Sequence, residues 1–116
     1  MTNLRNCTIS THFLNDRQGR KERMDKVIGN NWGQPVKEEW YKDAWRILTD
    51  VGIIFIVSID RSTIITYYFA TMRVVNGMYG GSNKVPSAMV KRINKNARNY
   101  CDLYDAGIRS DKYRKN

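Results

Sequence analysis

The stretch Ile53-Ile54-Phe55-Ile56-Val57-Ser58-Ile59 constrains this chain more than any other. Its residues are β-branched or aromatic almost throughout, with no polar residue alternating between them, which is how a strand buried on both faces reads. At 116 residues there is room for one comfortable core, so this strand should be its centre. Asp50-Val51-Gly52 before it and Asp60-Arg61-Ser62 after it have the composition of turns. A strand from about Trp45 and another over Thr63–Ala70 then flank it, and links this short make antiparallel hairpins. The whole apolar stretch Val51–Ile59 is broken by Gly52 and Ser58 and is too short to cross a bilayer, so no membrane partner is expected.

Helices are expected on either side of this sheet. Ser10 or Thr11 can cap a helix over His12–Ile28 that ends at Gly29 and Asn30. Gly19 inside it is either a bend or a point of close approach. Pro86 suits the first turn of a C-terminal helix reaching Tyr104, in which Met89, Ile93, Ala97, Cys101 and Tyr104 recur at helical spacing. Leu4–Ser10 reads as an edge strand, Val36–Leu48 as helical or irregular before the strand at Trp45, and Gly77, Gly80 and Gly81 as a flexible connection. The expected fold is therefore α+β: three to four antiparallel strands flanked by an N-terminal and a C-terminal helix. Residues 1–108 form one domain and residues 109–116 a basic tail.

Twenty Lys and Arg against eleven Asp and Glu leave a net charge of +9. The excess is +3 over residues 1–27, +1 over 28–90 and +5 over 91–116. Such a balance favours a polyanionic partner, most simply nucleic acid, over a merely solubilising surface. Lys91, Arg92, Lys95 and Arg98 lie off the apolar stripe of the C-terminal helix and are the candidate nucleic-acid contacts. Cys7 and Cys101 are far apart with no secretory signal, so both are expected as reduced thiols in the cytoplasm. One histidine and two distant cysteines argue against a metal site, and no cofactor is expected.

The N-terminal helix carries the candidate chemistry. Projected at about 100° per residue, Phe13, Arg17, Arg20, Met24, Val27 and Ile28 fall in one arc, so two arginines sit within an apolar face. Buried guanidiniums need carboxylates or an anion, and His12 lies at the edge of the same helix. A histidine to move protons and two arginines to clamp a phosphate are the parts needed to cleave RNA by attack of its own 2′-hydroxyl. Thr66 would add a supporting hydroxyl from the last strand.

The order Ser10-x-His12-Phe13-x-x-x-Arg17-x-x-Arg20, followed by a Gly-bounded hairpin and a strand ending Ile64-Ile65-Thr66, resembles the small nucleases of the barnase–EndoU–colicin–RelE superfamily, above all their phage-associated and toxin branches. The likeness covers residues 8–70. It implies an antiparallel sheet flanked by helices, metal-independent ribonuclease activity, and catalytic roles for His12, Arg17, Arg20 and Thr66. Gly19 within the helix and the lack of a second histidine depart from that pattern, which leaves the second proton-transfer group open among Tyr67, Tyr68, Arg46 and Arg73.

Two functions compete on this footing. One is a small basic ribonuclease of phage or toxin type, acting on RNA in a bacterial or phage-infected cytoplasm, with a neutralising or host protein as a further partner. The other is a non-catalytic phage protein that binds nucleic acid or inhibits a host nucleic-acid enzyme. The first requires His12, Arg17 and Arg20 in one cleft. The second needs only a continuous basic surface.

Overall fold

The computed structural model describes residues 2–15 and 19–100. Its centre is one five-stranded sheet made of β1 (Thr8–Ile9), β2 (Pro35–Tyr41), β3 (Ala44–Thr49), β4 (Ile53–Val57) and β5 (Thr63–Phe69), in the order β1-β5-β4-β3-β2. The neighbours are antiparallel except β1, which runs parallel to β5 at the edge. The class is α+β as expected, but the sheet is mixed and has five strands rather than three to four antiparallel ones.

The additional strand is β2, where a helical or irregular start was expected. It turns into β3 through Lys42 and Asp43 alone, both with left-handed backbone (φ 49° and 65°), pairing Tyr41 with Ala44 and Trp40 with Trp45. Positive φ at both centres of a two-residue hairpin loop is the type I′ geometry, usually announced by Asn-Gly or Asp-Gly. Lys-Asp adopts it here without that signal.

Alternation along the strands divides the core into two layers. Ile47, Ile53, Phe55, Val57, Ile64, Tyr67 and Phe69 face Leu4, Phe13 and Met24 on one side. Leu48, Ile54 and Ala70 face Val75, Val85, Met89 and Ile93 on the other. Helices α1 (Thr11–Leu14) and α2 (Arg20–Ile28) cover the first face, while α3 (Met72–Tyr79) and α4 (Ser87–Asn99) cover the second. Ile53, Ile54, Phe55 and Val57 are fully buried, as the continuous apolar run requires of a central strand.

A bulge in β5 links the sheet to the N-terminal layer. Ile56 pairs with Thr66 but Val57 with Ile64, which leaves Ile65 as the extra residue and puts Ile64 and Tyr67 on one face. Ser10 Oγ donates to the Ile65 carbonyl (2.9 Å) and also caps α1 by accepting from the Phe13 amide (3.2 Å). At the β4–β5 turn, Asp60 accepts from Ser62 Oγ (2.7 Å), Ser58 Oγ (2.7 Å) and the Ser62 amide (3.1 Å). These bonds, the Ser62 hydroxyl foremost, hold its carboxyl down at about 2.

The expected helix over His12–Ile28 is two pieces. Gly19, at φ 65°, is left-handed and caps α2, so α1 and α2 are not one continuous right-handed helix. Phe13 and Met24 both reach the core all the same. The glycine-rich connection contains α3, begun by Thr71 Oγ accepting from the Val74 amide (3.3 Å) and ended by Gly80 at φ 82°. The C-terminal helix stops at Asn99, short of the expected Tyr104, because Tyr100 leaves helical geometry and stacks on Phe69, rings 5.3 Å apart and nearly parallel. Cys101, Tyr104 and the tail 109–116 lie outside the described residues. Among those described, no helix is long and apolar enough to cross a membrane.

Candidate nucleic-acid interface

His12 is exposed on α1, whose buried residue is Phe13, packed edge-on against the Tyr67 ring at 4.8 Å. Arg20 is the first residue of α2, and Arg17 lies outside the described residues. Thr66 neighbours Tyr67 on β5 and pairs with Ile56, so it projects to the α3–α4 side of the sheet, opposite α1. The fold therefore does not bring His12 and Thr66 together.

Beside α1, Leu14, Lys21, Glu22, Asp25 and Lys26 line an open cleft. Among the described residues that line it, the charges are already matched. Lys21 Nζ lies 2.5 Å from Asp25 Oδ2 and Lys26 Nζ 3.6 Å from Glu22 Oε1, both pairs one helical turn apart. Asp25 also accepts the hydroxyl proton of Tyr67, whose ring is buried in the core. Burial above all, then the hydrogen bond to Asp25 and its negative charge, push the Tyr67 phenol well above its ordinary range.

A phenol raised in the folded state stabilises the fold below its unfolded pKa, near 10, and that contribution is lost as pH climbs towards the folded value. Ultraviolet titration of native protein should accordingly show the same phenolate yield at pH 11 for the wild type and Tyr67→Phe. A yield smaller by one phenolate in the variant would place Tyr67 in an ordinary environment. The same substitution should lower stability by about 1.5–3 kcal/mol, the usual worth of a hydrogen bond to a charged group.

The opposite layer has a different electrostatic character. Residues 61–101 contain seven Lys and Arg and not one Asp or Glu, against nine basic and eight acidic residues over 1–60 and four and three over 102–116. The chain's +9 is thus +1, +7 and +1 in sequence order. Six of the seven cations, Arg73, Lys84, Lys91, Arg92, Lys95 and Arg98, fall between the start of α3 and the end of α4, and all six are exposed. A boundary at residue 90 divides this block, so the segment sums of +3, +1 and +5 do not show it. The signal that finds it is the longest interval without an acid.

Helix α4 fixes the geometry of the block. Met89, Ile93 and Asn96 are its buried face. Lys91, Lys95 and Arg98 fall within roughly 60° of one another on the far side, over a length of about 10 Å, with Arg92 at their flank. Asn96 anchors the helix by donating from Nδ2 to the Val51 carbonyl in the β3–β4 turn (3.0 Å). Like charges at i, i+3 and i, i+4 oppose helix formation by about 0.2–0.5 kcal/mol per pair, so the row is a small burden on the isolated protein. An anion laid along it would turn repulsion into attraction.

Among the described residues no group of three His, Cys, Asp or Glu side chains is placed to hold a metal ion. The chain matches no protein-family model, no curated protein and no solved structure.

Proposed function

We propose that this protein binds nucleic acid in the cytoplasm, through the phosphate backbone, with the α3–α4 layer as its contact surface. The observation that carries the reading is the acid-free block of residues 61–101, whose exposed cations share one side of the sheet. Lysine and arginine on an ordered helix, without carboxylates among them, release condensed counterions on meeting phosphate and give affinity with little sequence choice.

Titration of a fluorescent oligonucleotide at several salt concentrations tests this. The logarithm of affinity should fall steeply and linearly with the logarithm of salt, by about 0.7–0.9 for each phosphate neutralised. A slope near zero would remove the reading. The same strands, incubated as RNA in the presence of chelator, should remain intact. Cleavage that survives EDTA and is lost in His12→Ala would instead favour the ribonuclease.

A further inference from the structure

On the α3 side of the sheet edge, tyrosine rings and cations alternate. Lys37, Glu39 and Tyr41 share one face of β2, and Arg46, opposite Glu39 on β3, projects to the same side. The Arg46 guanidinium stands 4.1 Å from the centroid of the Tyr41 ring, and Lys42 Nζ is 5.1 Å from it. Arg46 Nε also donates to Glu39 Oε1 (2.7 Å), so Arg46 is held in place and its charge is matched. At the other end of the strand, Lys37 Nζ lies 4.9 Å from the ring of Tyr79, the last residue of α3. Tyr41 is 41% exposed, and Tyr79 is half-buried, with part of its ring packed on the second core layer.

We propose that the nucleic acid bound by this protein is single-stranded, with bases stacked on Tyr41 and Tyr79 and phosphates held by Lys37 beside Tyr79 and Lys42 beside Tyr41. The proposal rests on the nucleic-acid reading above and adds the class of strand. A duplex hides its base faces in its own stack, whereas an unpaired strand offers them, and every base has a face a tyrosine can meet. From Lys37 to Tyr41 the strand covers about 13 Å, so the two rings mark the ends of an extended track along the edge of the sheet. Lys37 and Lys42 lie one beside each ring, with the matched Glu39–Arg46 pair between them, which sets stacking platform and charge side by side as single strands require.

The test compares a fluorescent single-stranded oligonucleotide with its duplex at equal salt, on wild type, Tyr41→Leu and Tyr41→Phe. The single strand should bind more tightly than the duplex. Tyr41→Leu should weaken it about fivefold or more and leave duplex affinity alone, while Tyr41→Phe, which keeps the ring, should bind as wild type does. Irradiation of wild type with a strand carrying 5-iodouracil should attach it at Tyr41 or Tyr79, a readout that does not depend on how the variants fold. Equal or tighter duplex binding, or crosslinks only outside β2 and α3, would overturn the single-strand proposal while a steep salt slope left the α4 surface standing. Absence of binding by either polymer would overturn both.

Discussion

Gly52→Ala should lower the free energy of unfolding by about 2–4 kcal/mol, a large fraction of what a domain of this size possesses. The residue sits in the β3–β4 turn at φ 79°, where any side chain strains the backbone by roughly 1–2 kcal/mol. It also has no room. A Cβ there would lie 2.8 Å from Asn96 Nδ2 and 3.2 Å from Arg92 Cγ. Asn96 is nearly buried and its amide donates to the neighbouring Val51 carbonyl, so moving it leaves a donor and an acceptor unmatched at about 1–3 kcal/mol. The turn cannot simply swing away, because Gly52 donates to the Thr49 carbonyl (3.0 Å) and its own carbonyl accepts from the Ala70 amide (2.9 Å). Urea denaturation measures the loss. Gly77→Ala is the control: that glycine lies within α3 with nothing inside 4 Å of the added methyl, so the change should stabilise by about 0.5–1 kcal/mol. A Gly52→Ala midpoint indistinguishable from wild type would mean that α4 does not pack on this turn as described.

The central strand was legible because a run without polar alternation has few other places to go in a small domain. The hairpins around it followed from Asp-Val-Gly and Asp-Arg-Ser. What failed to show were features whose local chemistry is ambiguous. The β2–β3 turn uses Lys42 and Asp43 at positive φ, a conformation that L residues adopt reluctantly and that their sequence does not advertise. The sequence left Gly19 open as a bend or a close approach within one helix; in the structure α1 has already ended at Leu14 and Gly19 is the left-handed cap that begins α2. Helix α3 contains Gly77 and is ended by Gly80, so the same letters that suggested a connection serve here as an interior residue and a C-cap.

The candidate contacts divide in the same way. Lys91, Arg92, Lys95 and Arg98 were visible because an apolar stripe on one helical face assigns its remaining positions to solvent. The His12 constellation depended instead on an unbroken helix carrying Arg17 and Arg20 beside Phe13, and on a strand partner, Thr66. Periodicity cannot see a break, nor which side of a bulged strand faces which helix. The bulge at Ile65 decides the second point, since it is the extra residue that turns Tyr67 to the N-terminal layer and Thr66 away from it.

Neutralising the outer row of α4 by Lys91→Gln, Lys95→Gln and Arg98→Gln should cost affinity for nucleic acid without costing stability. Glutamine keeps helix propensity close to that of lysine and arginine, and removing the like-charged pairs should leave the melting temperature unchanged or slightly raised. Three lost phosphate contacts flatten the salt dependence by about 2–3 in slope. With that slope, affinity should fall roughly 10³-fold at 50 mM salt and only about 30- to 80-fold at 200 mM, since the counterion term shrinks as salt rises. Net charge alone predicts otherwise, for a diffuse attraction would respond to any lost cation. Lys26→Gln, on the opposite layer and paired with Glu22, should therefore weaken binding far less than Lys95→Gln does. Equal effects from those two single substitutions would mean that the protein attracts nucleic acid by its overall charge. A triple variant that binds within about threefold of wild type at 50 mM, with its slope intact, would move the contact surface away from α4.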